Sequence, residues 1–181
     1  MSVELLEPGL APAPFEPVMP ALPAWELRSA GADDAAQIHA LVQSHREEGH
    51  LLPRTLDELR VHAPRFVVAV DGDRVAACAE LAPLSRRVAE VRSLVVDASA
   101  RHDGLGRRLV EELIRRARRD GFETLSAFSH RPGFFVRLGF SIVPHHWVRE
   151  KMLADCQQCA LFRTCGQHAV VLPVAPRRAV A

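Results

Sequence analysis

Apolar and polar residues change their period several times along the chain, and each change marks an element. "WELRSA" (25–30) alternates and predicts a short strand. "DDAAQIHALVQSHREEG" switches to the helical period and sets Ile38, Leu41, Val42 and His45 on one face. Asp33 or Asp34 is placed to cap that helix and Gly49 to stop it. "TLDELRVH" opens with Thr55 and Glu58 at capping-box spacing, and Pro64 ends it. "RFVVAV" and "RVAACAELA" flank Asp71-Gly72-Asp73, a hairpin signal, and "VAEVRSLVV" (88–96) is a third strand. "GLGRRLVEELIRRARRDG" predicts a long amphipathic helix with Leu105, Leu109, Leu113 and Ile114 inward and arginines outward. "FETLSAF" reads as a strand and "PGFFVRLGF" as a short helix stopped by Gly139. "FSIVP" and "HAVVLPV" close the series as strands.

Early strands that pair by hairpin, then a long helix and more strands, predict a mixed α/β domain. Its central sheet is mainly antiparallel, with helices on both faces. The 181 residues suit one domain with loose ends. Six prolines between Pro8 and Pro23 make residues 1–24 a disordered or polyproline-like arm, since they interrupt both helix and sheet ladders. Residues 173–181 read as a flexible tail, which leaves residues 25–172 as the domain.

Composition narrows the chemistry. The formal charge of +1 gives no overall pull toward nucleic acid or an anionic membrane. The arginines on the long helix alternate with glutamates, as on a solvated face. No apolar run reaches the roughly 20 residues of a membrane span, and the N-terminus has no signal-like core, so a cytoplasmic location with reduced thiols is expected. Cys78, among alanines in a strand, reads as a buried core thiol. The chain has no tyrosine, which removes one kind of catalytic acid.

The stretch from the strand ending at Val96 to the helix starting near Gly104 carries the strongest chemical signal. The first turn of a helix has main-chain N–H groups without internal partners and a partial positive charge. Glycines let an anion approach that backbone, and Arg101, Arg107 and Arg108 add charge. Gly-x-Gly before a helix is also an ordinary turn, so spacing alone leaves both readings open. No Gly-Lys-Ser/Thr follows, which excludes a P-loop.

Arg101-His102-Asp103-Gly104-Leu105-Gly106 resembles the Arg/Gln-x-x-Gly-x-Gly/Ala loop of the GCN5-related N-acetyltransferases (GNAT), which binds the pyrophosphate of acetyl-coenzyme A. The strand order is similar as well, over roughly residues 25–172. Four further stretches, "LLPRTLDEL", "AEVRSLVVD", "PGFFVRLGF" and "EKMLADCQQCALFRTC", resemble the short amino-acid N-acetyltransferase branch, the N-acetylglutamate synthases of arginine biosynthesis. The resemblance implies acetyl-coenzyme A as co-substrate, bound by Leu94, Val95, Val96, Arg101, His102, Asp103, Gly104, Leu105, Gly106 and Arg107. It also implies an amino-acid acceptor, L-glutamate foremost.

An acidic amino acid needs cationic partners, and arginine pairs with carboxylates through two hydrogen bonds. Arg54, Arg92 and Lys151 are the candidate substrate ligands. Glu90, or Glu80 on the neighbouring strand, is the candidate base for the ammonium proton. Main-chain N–H groups of Leu94 to Val96 are the candidate oxyanion donors. Ser129 or His130 can return a proton to the leaving thiolate. A GNAT enzyme acting on another small amine or a protein amine, or a non-catalytic acetyl-coenzyme A-binding module, are the alternatives.

Near the end of the chain stands Cys156-x2-Cys159-x5-Cys165-x2-His168. Three thiolates and an imidazole are a recognised zinc set. Three reduced structural thiols and a redox device fit the same spacing. The expected partners are small molecules, with a homodimer entertained and neither nucleic acid nor membrane expected.

Overall fold

The computed structural model describes residues 25–46, 51 and 53–175. The proline-rich arm, Gly49 and residues 176–181 of the tail lie outside them. A seven-stranded sheet runs β1 (Glu26–Ser29), β2 (Phe66–Asp71), β3 (Arg74–Pro83), β4 (Val88–Val96), β5 (Thr124–Ser129), β7 (His168–Pro173), β6 (Ser141–Val143). Every pairing is antiparallel except β4 with β5. Those two strands are joined by α3 (Leu105–Arg119), and a helical crossover returns the chain parallel to the strand it left. This is the mixed α/β sheet that the patterning predicts.

Each face of the sheet has its own core. α3 covers one face, where Leu105, Leu109, Val110, Leu113 and Ile114 pack on Ala79, Leu81, Ala89 and Val91. α1 (Ala35–Ser44) and α2 (Leu56–His62) cover part of the other, where Ile38, Leu41, Val42 and Leu59 pack on Phe66, Val68, Cys78 and Val95. Cys78 is fully buried, as expected, and burial pushes its thiol pKa up to about 12. No helix among the described residues is long and apolar enough to cross a membrane.

Local predictions hold with three corrections. Thr55 Oγ1 accepts from the Glu58 N–H (3.2 Å), as the capping spacing requires. Asp34, however, does not cap α1. Its carboxylate turns back to accept from Gly31 N–H (2.8 Å) and to pair with Arg28, which together hold its carboxyl below the usual range. Not every α3 arginine points outward either. Arg116 is buried, donating to Ser29 Oγ (3.0 Å) and to the Phe66 carbonyl, which ties the helix to the sheet edge. The short helix read in "PGFFVRLGF" forms as α4 (Pro132–Val136), and the chain also forms a helix that the pattern did not reveal, α5 (Arg149–Ala154).

One irregularity in β4 shapes everything below. Cys78 pairs with Val95 but Glu80 pairs with Arg92, so two steps on β3 face three on β4. The extra residue is a β-bulge, with Ser93 in the left-handed region (φ 48°). Alternation restarts after it. Glu80, Glu90 and Arg92 share the α1/α2 face, and Val95 returns to that face, while Leu94 and Val96 pack toward α3.

Candidate active site

β4 and β5 pair only at their beginnings, from Val88↔Thr124 to Val91↔Ala127. Ser126 Oγ, donating to the Ala89 carbonyl (3.1 Å), pins that start. Beyond Val91 the strands part. The edge of β4 that faces β5 then has no strand partner among the described residues. That opens a cleft lined by the main chain of residues 92–96, with N–H groups available to a bound carbonyl.

At the end of β4 the chain prepares a second site. Asp97 caps a 3-10 turn (Ala98–Ala100) by accepting from Ser99 N–H (2.9 Å). His102 (φ 81°) and Gly104 (φ 72°) both take left-handed backbone, and α3 begins immediately after. At Gly104 an L side chain would carry strain although nothing lies within 4 Å of a Cβ there. At Gly106 a Cβ would sit 3.6 Å from Phe134 Cζ and 3.7 Å from Val96 Cγ2, so an alanine would fit there in ordinary contact. Leu105 is buried, leaving only its main chain for a ligand. α3 has 15 residues, and the N–H groups of its first turn lack partners within the helix, an arrangement that suits an anion. Arg107 leans along the helix to Glu111 (2.8 Å).

The candidate acceptor residues, far apart in sequence, assemble on the α1/α2 face in two linked groups. In the first, Arg54 Nη1 donates to Glu80 Oε2 (2.8 Å) and to Ser93 Oγ (3.2 Å), so it ties the buried carboxylate to the bulge. Arg54 Nη2 is 3.5 Å from His62 Nδ1, and His62 Nδ1 is 3.7 Å from Glu80 Oε1. Arg54 Nε is 2.8 Å from Glu58 Oε1 but off the hydrogen-bond line, and it has no hydrogen-bond partner among the described residues. In the second group, Lys151 Nζ holds both oxygens of Glu90 (2.8 and 3.0 Å) and Asp155 Oδ2 (2.8 Å). Arg92 joins the same two carboxylates, with Nε 2.5 Å from Glu90 Oε2 and Nη2 against Asp155. Burial works against the Arg92 charge, but Glu90 and Asp155 outweigh it and hold its pKa above the usual arginine value.

Glu80 and Glu90 are 1% and 2% exposed, so both carboxylates depend on these cations for their solvation. Arg92 and Asp155 are the most accessible members of the second group, at 27% and 30% side-chain exposure. Lys151 is buried, with its Nζ over the Phe128 ring, 5.5 Å from the centroid.

The structure thus gathers Arg54, Glu80, Glu90, Arg92 and Lys151 beside the cleft. Ser129 ends β5 across from it, its Oγ accepting from Arg131 N–H (3.0 Å), with His130 next to it and exposed. His62, Ser93 and Asp155 were not singled out from the sequence. Two left a trace there: Arg54, Glu58 and His62 are spaced four apart, and so are Lys151 and Asp155.

The expected zinc set is corrected. Among the described residues no group of three or more His, Cys, Asp or Glu side chains is placed to hold a metal ion. Two 3-10 turns (Cys156–Gln158 and Phe162–Thr164) separate the thiols, and the sheet ladder pins His168 opposite Ser129. The three cysteines are free of disulfides, and burial raises the Cys156 thiol pKa.

Known proteins carry the same architecture. Residues 32–140 match the family described as "Acetyltransferase (GNAT) family". An uncharacterized N-acetyltransferase of Chlorobaculum tepidum is 29% identical over 145 residues, covering 80% of this chain and 94% of that one. The amino-acid acetyltransferase of Pseudomonas aeruginosa is 30% identical over 127 residues, covering 70% of this chain but 27% of its own length. The N-acetylglutamate synthase of Neisseria gonorrhoeae, solved with coenzyme A and N-acetyl-glutamate, superposes with a TM-score of 0.74 at 26% identity. That match covers 83% of this chain and 35% of that one. This chain therefore corresponds to about a third or less of those amino-acid enzymes. It belongs to the acetyltransferase (GNAT) family, and its catalytic class is N-acetyl transfer.

Proposed function

We propose that the chain transfers the acetyl group of acetyl-coenzyme A to the α-amino group of a free amino acid, with L-glutamate the preferred acceptor. The observation that carries this reading is the convergence of Arg54, Glu80, Glu90, Arg92 and Lys151 on one sheet face, beside the β4–β5 cleft. The relatives that act on amino acids, and the N-acetylglutamate synthase above, support the same substrate class. The product, N-acetyl-L-glutamate, belongs to the first step of arginine biosynthesis.

The pyrophosphate of the coenzyme lies against the first turn of α3 and the loop from Arg101 to Gly106. The thioester then reaches into the cleft, where an N–H of Leu94 to Val96 meets the oxyanion that forms on attack. Arg54 and Arg92 face the acceptor carboxylates. The ammonium of the acceptor must first lose a proton. Glu80 suits this task better than Glu90, because its register partner Arg92 is two residues from Leu94, whereas Glu90 is four. His62, partly exposed beside Glu80, gives the proton a route to solvent. The amine attacks the carbonyl directly, the C–S bond breaks, and the thiolate leaves. Ser129 or His130 protonates it, since the chain has no tyrosine for that role.

A second reading has its own support. Arg92 and Lys151 already hold two carboxylates of this chain, Glu90 and Asp155. That internal charge balance favours an acceptor with one carboxylate and a neutral side chain. Thiol release measured across the amino acids, with small amines alongside, separates the readings. The highest kcat/KM with glutamate supports the first, and the highest with a neutral amino acid supports the second. Turnover of amines alone, or none at all, overturns both.

A further inference from the structure

An aspartate in a pyrophosphate loop is electrostatically adverse, since like charges repel. Asp103 lies between His102 and Gly104, both in left-handed backbone, just before the first turn of α3. Its carboxylate is engaged from outside the loop. Trp25 Nε1 donates to Asp103 Oδ2 at 2.9 Å, across 78 residues of sequence. The donor is itself anchored twice. The Trp25 side chain packs against the core beneath α3, and Arg108 Nη2 donates to the Trp25 carbonyl (3.0 Å). The tryptophan is therefore held at both its ring and its main chain.

We infer that Trp25 is a positioning residue for coenzyme binding: it draws the Asp103 carboxylate aside and keeps its charge from the anion that the α3 N-terminus receives. The inference rests on the coenzyme-loop reading of the previous section. A tryptophan suits the role because its indole has one donor on a large rigid apolar body, so packing fixes where the N–H points. Phenylalanine keeps most of that body and lacks the donor.

The test is titration of coenzyme A by calorimetry into four full-length proteins: unmodified, W25F, D103N and W25F/D103N. W25F is expected to raise Kd at least fivefold. D103N should restore affinity in the W25F background by a factor at least three times larger than its effect with Trp25 intact. A role for Trp25 in packing alone predicts equal effects of D103N in both backgrounds, and that result overturns the inference. An unchanged Kd for W25F overturns it as well. D103E keeps Trp25 and its packing but moves the carboxylate beyond the geometry of this hydrogen bond. It should weaken binding severalfold, and D103E binding as tightly as the unmodified chain also overturns the inference. Absence of coenzyme A binding by the unmodified chain instead overturns the loop reading, and the inference with it.

Discussion

Between Arg101 and Gly106 the groups offered to a ligand are main-chain N–H groups at an exposed helix start. Between Arg54 and Asp155 they are side chains in a largely buried network, tied across 26, 61 and 63 residues of sequence. The loop needs only local geometry, a left-handed turn and a helix behind it. The network needs β3, β4, α2 and α5 all in place before any of its charges is solvated. A loop of the first kind can tolerate change without threatening the fold. On the proposed function, a network of the second kind joins acceptor binding to stability, because each of its charges is a partner that another buried charge requires.

Three substitutions sharpen that contrast. The largest effect is expected from Arg54→Leu, which leaves Glu80 buried without its closest cation. A loss of about 3–5 kcal/mol is expected in urea unfolding, and R54L/E80L should recover most of it, since no buried charge is then stranded. A loss under about 1 kcal/mol would show a network as forgiving as a surface pair.

Gly104→Glu should act on the loop in the opposite sense. It places an anion at the coenzyme phosphates and should weaken coenzyme A binding more than a hundredfold, about 2.7 kcal/mol. Its cost in stability should be only about 1–2 kcal/mol from the left-handed backbone, because a Cβ there meets nothing. Gly104→Ala carries the strain without the charge. If it abolishes binding equally, backbone conformation and not electrostatics governs the loop.

Asp155→Asn should have the smallest effect. It removes the chain's own carboxylate from between Arg92 and Lys151 while keeping a hydrogen-bonding side chain of the same shape. The KM for glutamate is expected to fall three- to tenfold, up to about 1.4 kcal/mol, with neutral amino acids little affected. A uniform rise in KM for every acceptor would make Asp155 a brace for α5 and nothing more.

How far the site was legible follows from the same contrast. Leu105, Leu109 and Leu113 repeat at the helical period, and Gly104 stands where that period begins, so the helix and the place of its first turn could be read directly. The zinc reading finds no support among the described residues, because spacing reports proximity along the chain and not convergence of side chains. The 3-10 turns and the β7 ladder fix where those four residues stand. The bulge at Ser93 was invisible, since strict alternation in "VAEVRSLVV" sets Leu94 and Val96 on the face of Glu90 and Arg92. Asp155 and His62 showed only helical spacing to a charged neighbour, a pattern common on any solvated helix.

The sequence by itself determined the order of the strands and of every helix but α5, the apolar face of the long helix, and the glycine loop ahead of α3. These rest on periodicity and backbone freedom, properties of neighbouring residues. Only the tertiary structure decided that Arg54 meets Glu80, that Glu90, Arg92, Lys151 and Asp155 close into one network, and that Trp25 holds Asp103. Those contacts depend on a bulge, a crossover and a docked helix. A buried charge takes whatever opposite charge the fold brings within about 3 Å, and sequence spacing does not encode that distance.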